Sequence, residues 1–131
     1  MKDTFHDQLL EARDKNHSKE HPFFDLWTAG RLTRKQTAFY CTQHFHYVGE
    51  YLNWLAYEAS QIPRRDVKAY LFENLGDEEN PDDRHLDMLK DYVAASGVER
   101  DSVESSIVLP GTDQLQNWGW RMVYHQPWQA A

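Results

Sequence analysis

From Thr33 to about Ser60 the chain runs without a proline, and its apolar residues recur at helical spacing around more than one face. Phe39, Phe45, Tyr47, Val48, Tyr51, Leu52, Trp54, Leu55 and Ala59 cannot all be buried against a single neighbour. The segment therefore predicts a long helix at the centre of a helical bundle, packed on several sides. Thr33 followed by Gln36 fits a capping box at its start, and Gly49 is the one weak point inside it.

Shorter helical patterns flank this segment. The first is expected from about Asp3 to His17, with Phe5, Leu9, Leu10 and Ala12 on one side. His21-Pro22 opens a short helix through Phe23, Phe24, Leu26 and Trp27, with His21 as its cap and Gly30 as its end. Pro63 is expected to start a helix through Val67, Tyr70, Leu71 and Leu75 to Glu78, which Asn80-Pro81 kinks or restarts. Leu86, Leu89, Tyr92, Val93 and Ala94 mark a fifth helix that Gly97 closes. A connection holding about one helical turn leads to a last helix with Leu115, Trp118, Met122 and Val123. No segment alternates with β-branched enrichment, so the fold class is all-α, one domain over residues 1–131. Pro127-Trp128-Gln129-Ala130-Ala131 reads as the opening of another buried helix, so the bundle is expected to be cut short at its C-terminus.

Composition narrows the function. With 14 Lys and Arg against 21 Asp and Glu, and no basic stripe, a phosphate backbone is repelled and nucleic acid is not an expected partner. The N-terminus has no apolar signal region, and no stretch approaches the roughly 18 apolar residues of a membrane span. A cytoplasmic protein with no membrane partner is expected. Cys41, the one cysteine, permits neither an internal disulfide nor a zinc site of several thiolates, and its apolar surroundings predict a small buried hydrophobe.

Two residues draw attention as metal ligands. Glu78 falls in step with Val67, Leu71, Asn74 and Leu75, and His85 with Met88, Leu89, Tyr92 and Ser96, so both are expected on inward faces. A buried carboxylate needs a cation, a metal or hydrogen-bond donors beside it. Carboxylate and imidazole suit a borderline ion such as iron or manganese, and helical bundles build two-metal sites from inward Glu and His residues. Spacing alone leaves the alternative open: Asp77, Glu78, Glu79, Asp82 and Asp83 also read as a solvated acidic helix end with a solvated histidine. His46 and Glu50 sit at i, i+4, fit for a ligand pair or a structural ion pair, with His44 beside them. Glu58 reads as a hydrogen-bonded acid at the helix edge. Tyr47, Tyr51 and Trp54 read as core, or as the lining of a pocket that would also hold His44, His46 and Glu50.

Three blocks then carry a resemblance. HPFFDLWTAGRLTRKQTAFYCTQHFHYV resembles the His-Pro-Phe, Gly-x-Leu-Thr and aromatic-helix pattern of the TenA thiaminase II and pyrroloquinoline quinone synthase C families. ENLGDEENPDDRHLDMLKDYVAASGV is similar to the Asn-Leu-x-Asp-Glu-Glu segment of the haem-oxygenase-like diiron oxidases of the chlamydial para-aminobenzoate-forming type, and VLPGT precedes a tryptophan-bearing helix. The resemblance implies a haem-oxygenase-like helical bundle in which Glu78 and His85 are iron ligands. It implies an oxidoreductase using non-haem iron, diiron if other residues complete the site, and O₂ on a small amino-acid-derived or aromatic metabolite, as in cofactor biosynthesis. A cofactor-free quinone-synthase-like oxidase is the alternative within the superfamily.

Two departures refine that expectation. TenA enzymes carry Gln-Asp early in the long helix, whereas this chain has Gln43-His44, which disfavours thiamine-type hydrolysis. Members of the superfamily continue through helices supplying another carboxylate and a His-x-x-x-Asp-x-x-His run. One chain thus offers two ligands of the pattern, and completion is expected from His44, His46, Glu50 or a second chain. The expected partners are a homodimer mate or a complementary C-terminal half, and a non-enzymatic assembly module is the remaining alternative.

Overall fold

A computed structural model describes residues 4–15 and 17–130. The chain divides into two compact units, Met1–Thr33 and Arg34–Ala131. Among the described residues the elements are helices and short 3₁₀ turns, with no strand.

In the first unit, α1 spans Phe5–Lys15 and α2 spans Pro22–Thr28, with a 3₁₀ turn at Ser18–Glu20 between them. The expected start of the first helix at Asp3 lies outside the described residues, and its last turn ends at Lys15, short of the expected His17. Thr4 takes the capping position, where its Oγ1 accepts from the Asp7 N–H at 3.2 Å and the Asp7 carboxylate accepts from the Thr4 N–H at 3.3 Å. His21 caps α2 as expected, its Nδ1 accepting from the Phe23 N–H at 3.1 Å. Gly30 ends that helix at φ +63°, a conformation that side chains with a Cβ rarely adopt.

The second unit is built on α3, Arg34–Gln61, against which α4 (Arg65–Glu78), α5 (His85–Ala95) and α6 (Pro110–His125) each pack. This is the many-sided central helix that the aromatic pattern called for. Ala38, Cys41, Val48, Leu52, Trp54, Leu55 and Ala59 of α3 are buried with Ile62, Val93 and Val103. Pro110 occupies the first turn of α6, where its missing N–H leaves no bond unmade. Pro63 lies just ahead of α4, whose first residue is Arg65.

Several aromatic residues do not go where periodicity put them. Phe39 is 61% exposed, and α4 buries no residue fully, with Val67, Leu71 and Leu75 only partly covered. On α5, Met88 and Tyr92 are exposed although they share the stripe of His85. The reason is the number of neighbours: α4 and α5 each rest on α3 along one side, Val93 takes the buried place on α5, and the rest of each apolar stripe is half-covered or exposed. At the other end, Trp128 to Ala130 form one turn closed by the Ala130 N–H on the Pro127 carbonyl at 2.8 Å. None of the helices described is long and apolar enough to cross a membrane.

Candidate metal centre

Glu78 is the last residue of α4 and His85 the first of α5. The helix does not continue through Pro81. Asn80 folds the link back, its side chain accepting from the Asp82 N–H at 3.2 Å and its carbonyl from the Asp83 N–H at 3.2 Å. Arg84 straddles the junction through Glu79 at 2.9 Å and Asp87 at 3.4 Å. The break brings the seven-residue pair together, with His85 Nδ1 and Glu78 Oε2 sharing a hydrogen bond of 2.6 Å. The Glu78 side chain is 17% exposed and that of His85 44% exposed, so the carboxylate is sheltered and the imidazole borders solvent.

α3 carries a row of rings, of which Tyr51 reaches α4. Tyr40, His44, Tyr47 and Tyr51 recur at i, i+4, i+7 and i+11 and stack in succession, with ring centroids 5.5, 5.8 and 6.3 Å apart and interplanar angles of 13°, 22° and 24°. Trp54 meets Tyr47 edge-on at 5.8 Å. The Tyr51 hydroxyl donates to Asn74 Oδ1 at 3.2 Å, one helical turn before Glu78. Burial pushes the Tyr51 phenol above its ordinary value, and the charges of Glu78 and Glu58 add to the effect. Burial also raises the Glu58 carboxyl and lowers the His44 imidazole.

His46 and Glu50 find different partners. His46 Nε2 lies 2.7 Å from Ser106 Oγ, and Glu50 Oε2 accepts from the Trp120 indole N–H at 2.9 Å. Both groups thereby tie α3 to α6 and its approach, away from Glu78. Tyr40, Asn74 and Gln43 were not singled out as site residues from the sequence. The i, i+4, i+7, i+11 spacing of the rings was the signal that would have included Tyr40. Nothing local marks Gln43, whose Nε2 donates to the Ile107 carbonyl at 2.9 Å while its Oε1 accepts from the Leu109 N–H at 3.0 Å and Thr112 Oγ1 at 2.9 Å.

As a metal site the pair fits in kind. A carboxylate and an imidazole are ordinary donors to a first-row ion, and they stand close enough together to serve one. In number they fall short, since among the described residues no group of three or more His, Cys, Asp and Glu could hold an ion.

With this geometry in view, the sequence comparisons decide the family. The family of iron-containing redox enzymes matches residues 38–131. The chain belongs to that family. It is 32% identical to the 4-aminobenzoate synthase of Chlamydia muridarum over 102 residues, covering 78% of this chain and 43% of that protein. The 4-aminobenzoate synthase of Nitrosomonas europaea is 28% identical over 121 residues, covering 86% and 49%. That of Chlamydia trachomatis is 31% identical over 102 residues, covering 78% and 44%. The chain thus spans a little under half the length of these curated relatives. No solved structure gives a significant match. Family and helices together make this an all-α, haem-oxygenase-like helical bundle.

Proposed function

We propose that this chain is part of a non-haem iron oxidase of cofactor biosynthesis, which uses O₂ on a small aromatic or amino-acid-derived molecule, with Glu78 and His85 as two of its iron ligands. The observation that carries the reading is the 2.6 Å approach of those side chains across a helix break, within the stretch matched by the iron-containing family. Bound iron would supply the one-electron and O₂ chemistry that amino-acid side chains lack. The chain's own contribution is positional. The Asn80 turn and Arg84 fix the junction that sets Glu78 against His85, and the Tyr51–Asn74 hydrogen bond braces α3 against α4 one turn away. The stacked rings from Tyr40 to Tyr51 form a wall suited to a flat substrate. The name of the relatives, 4-aminobenzoate synthase, supports an aromatic product and a role in making a cofactor precursor.

Two ligands are fewer than a first-row ion retains firmly. This favours a second element in the reading: the site is completed by another polypeptide segment, either a second copy of this chain or a C-terminal half of the domain, and the relatives are about twice as long as the stretch they match here. The test is metal analysis of protein loaded with Fe(II) anaerobically and then desalted, for wild type and Glu78→Ala, with light scattering on the same samples. Iron retained near stoichiometrically by the wild type and lost from the variant supports the site, and the mass tells whether one chain or two build it. Equal retention by both proteins overturns the assignment of Glu78, and retention by neither excludes completion by a second copy of this chain.

A further inference from the structure

At the far end of α5 from His85 lies a cavity of about 630 Å³ that the iron reading does not use. The length of α5, 11 residues, sets the two regions roughly 16 Å apart along the helix. The cavity is walled by the first turns of α3, the end of α5 and the segment before α6. Its volume falls in the range of small-molecule sites. Its wall is held open: Gln43 makes three hydrogen bonds to the segment Ile107–Thr112, which fixes the approach to α6 against α3.

The charge of the lining is opposite to that of the chain. The protein has 21 acidic residues, yet none borders the cavity, and its two charged lining residues are Arg34 and Lys35. Neither makes an ion pair among the described residues. Both lie in the first turn of a 28-residue helix, whose dipole adds positive potential there. Behind them the surface is apolar, with Ala38 buried and Phe39, Val98 and Ile107 exposed to the cavity side, Ile107 by 81%. Exposed apolar side chains next to unpaired cations are costly to hydrate and offer nothing to one another. They are complementary to a molecule with an apolar body and an anionic head.

We propose that this cavity binds an amphipathic organic anion, an aryl or alkyl carboxylate, whose head lies against Arg34 and Lys35 and whose body rests on Phe39, Val98 and Ile107. None of its lining residues belongs to the iron pair.

The test is titration of metal-depleted protein with 2-naphthoate and, in parallel, with its neutral isostere 2-naphthamide, followed by calorimetry and by amide NMR shifts. Naphthoate is expected to saturate with shifts centred on residues 34–43, 96–98 and 106–109, and the amide to bind at least about tenfold more weakly. The double variant Arg34→Gln/Lys35→Gln should lose about tenfold in naphthoate affinity. Ile107→Glu, at an exposed position where the fold does not depend on the side chain, should abolish binding with an unchanged circular dichroism spectrum. Equal affinity for acid and amide, unaltered binding by both variants, shifts centred elsewhere, or no saturable binding at millimolar probe each overturn the proposal.

Discussion

The ring of Trp54 on α3 occupies the space that a side chain at position 119 of α6 would need. A Cβ built on Gly119 meets three atoms of the buried indole, and the two helices approach as closely as they do because that atom is missing. Gly76 and Gly49 have open space where their Cβ would be. Replacing helical glycine by alanine ordinarily stabilises by about 0.5–1 kcal/mol, while forcing an atom into a packed contact costs about 1–3 kcal/mol. Gly76→Ala is therefore expected to raise stability and Gly119→Ala to lower it. Urea unfolding of the two variants checks the opposite signs. A stabilised Gly119→Ala would mean that Trp54 and α6 do not meet in this way.

Gln43 is the second point at which one side chain decides how α6 joins α3. Its amide satisfies the Ile107 carbonyl, the Leu109 N–H and the Thr112 hydroxyl, from a position partly buried in the bundle. Gln43→Ala strands those groups, and stranded buried polar groups cost about 1–3 kcal/mol each where water cannot replace the partner. Partial exposure reduces that figure, so a total loss of about 2 kcal/mol is expected. Hydrogen exchange should speed up most at Leu109. Unchanged exchange there would show that the side chain does not hold the segment.

These two contacts also mark the limit of what the chain's order of residues discloses. The helices, the central place of α3 and the inward carboxylate at Glu78 follow from periods of three and four residues, which are local. The break that joins Glu78 to His85 is local too, since Asn80 and Pro81 lie within it. By contrast, Gln43 with Leu109, His46 with Ser106 and Glu50 with Trp120 are pairs separated by 60 residues or more. No spacing rule reaches that far, so His46 and Glu50, whose i, i+4 spacing fits a ligand pair, find partners on and before α6. The exposure of Phe39, Met88 and Tyr92 was hidden for another reason. Periodicity tells which face of a helix is apolar, but the number of neighbours present decides how much of that face is covered.

His44, stacked between Tyr40 and Tyr47, supplies a pH dependence whose sign can be worked out. Burial lowers its pKa from the ordinary 6.5, so below that pH the unfolded chain takes up a proton that the folded chain resists. Stability contributed by His44 is full above about pH 6.5 and is lost as pH falls through the depressed folded value. The slope from one such group cannot exceed about 1.4 kcal/mol per pH unit. His44→Gln should flatten the decline in stability between pH 7 and 5. An NMR titration of the His44 ring with a midpoint at or above 6.5 would contradict this.

Metal addition gives the sharpest test of the Glu78–His85 pair that does not require turnover. An ion that binds the folded chain and not the unfolded one stabilises it by about 1.4 kcal/mol at ten times its Kd. In a domain of this size that corresponds to a rise in Tm of about 4–8 °C. Fe(II) or Mn(II) added to metal-depleted protein under anaerobic conditions is expected to produce such a rise in the wild type and none in His85→Ala. The imidazole of His85 is partly exposed and makes one hydrogen bond, so its removal should leave the metal-free Tm within a few degrees of the wild type. A rise of equal size in both proteins would place the ion elsewhere. If neither protein is stabilised, the pair does not hold an ion in this chain by itself, and the shared hydrogen bond serves there as a structural tie across the helix break.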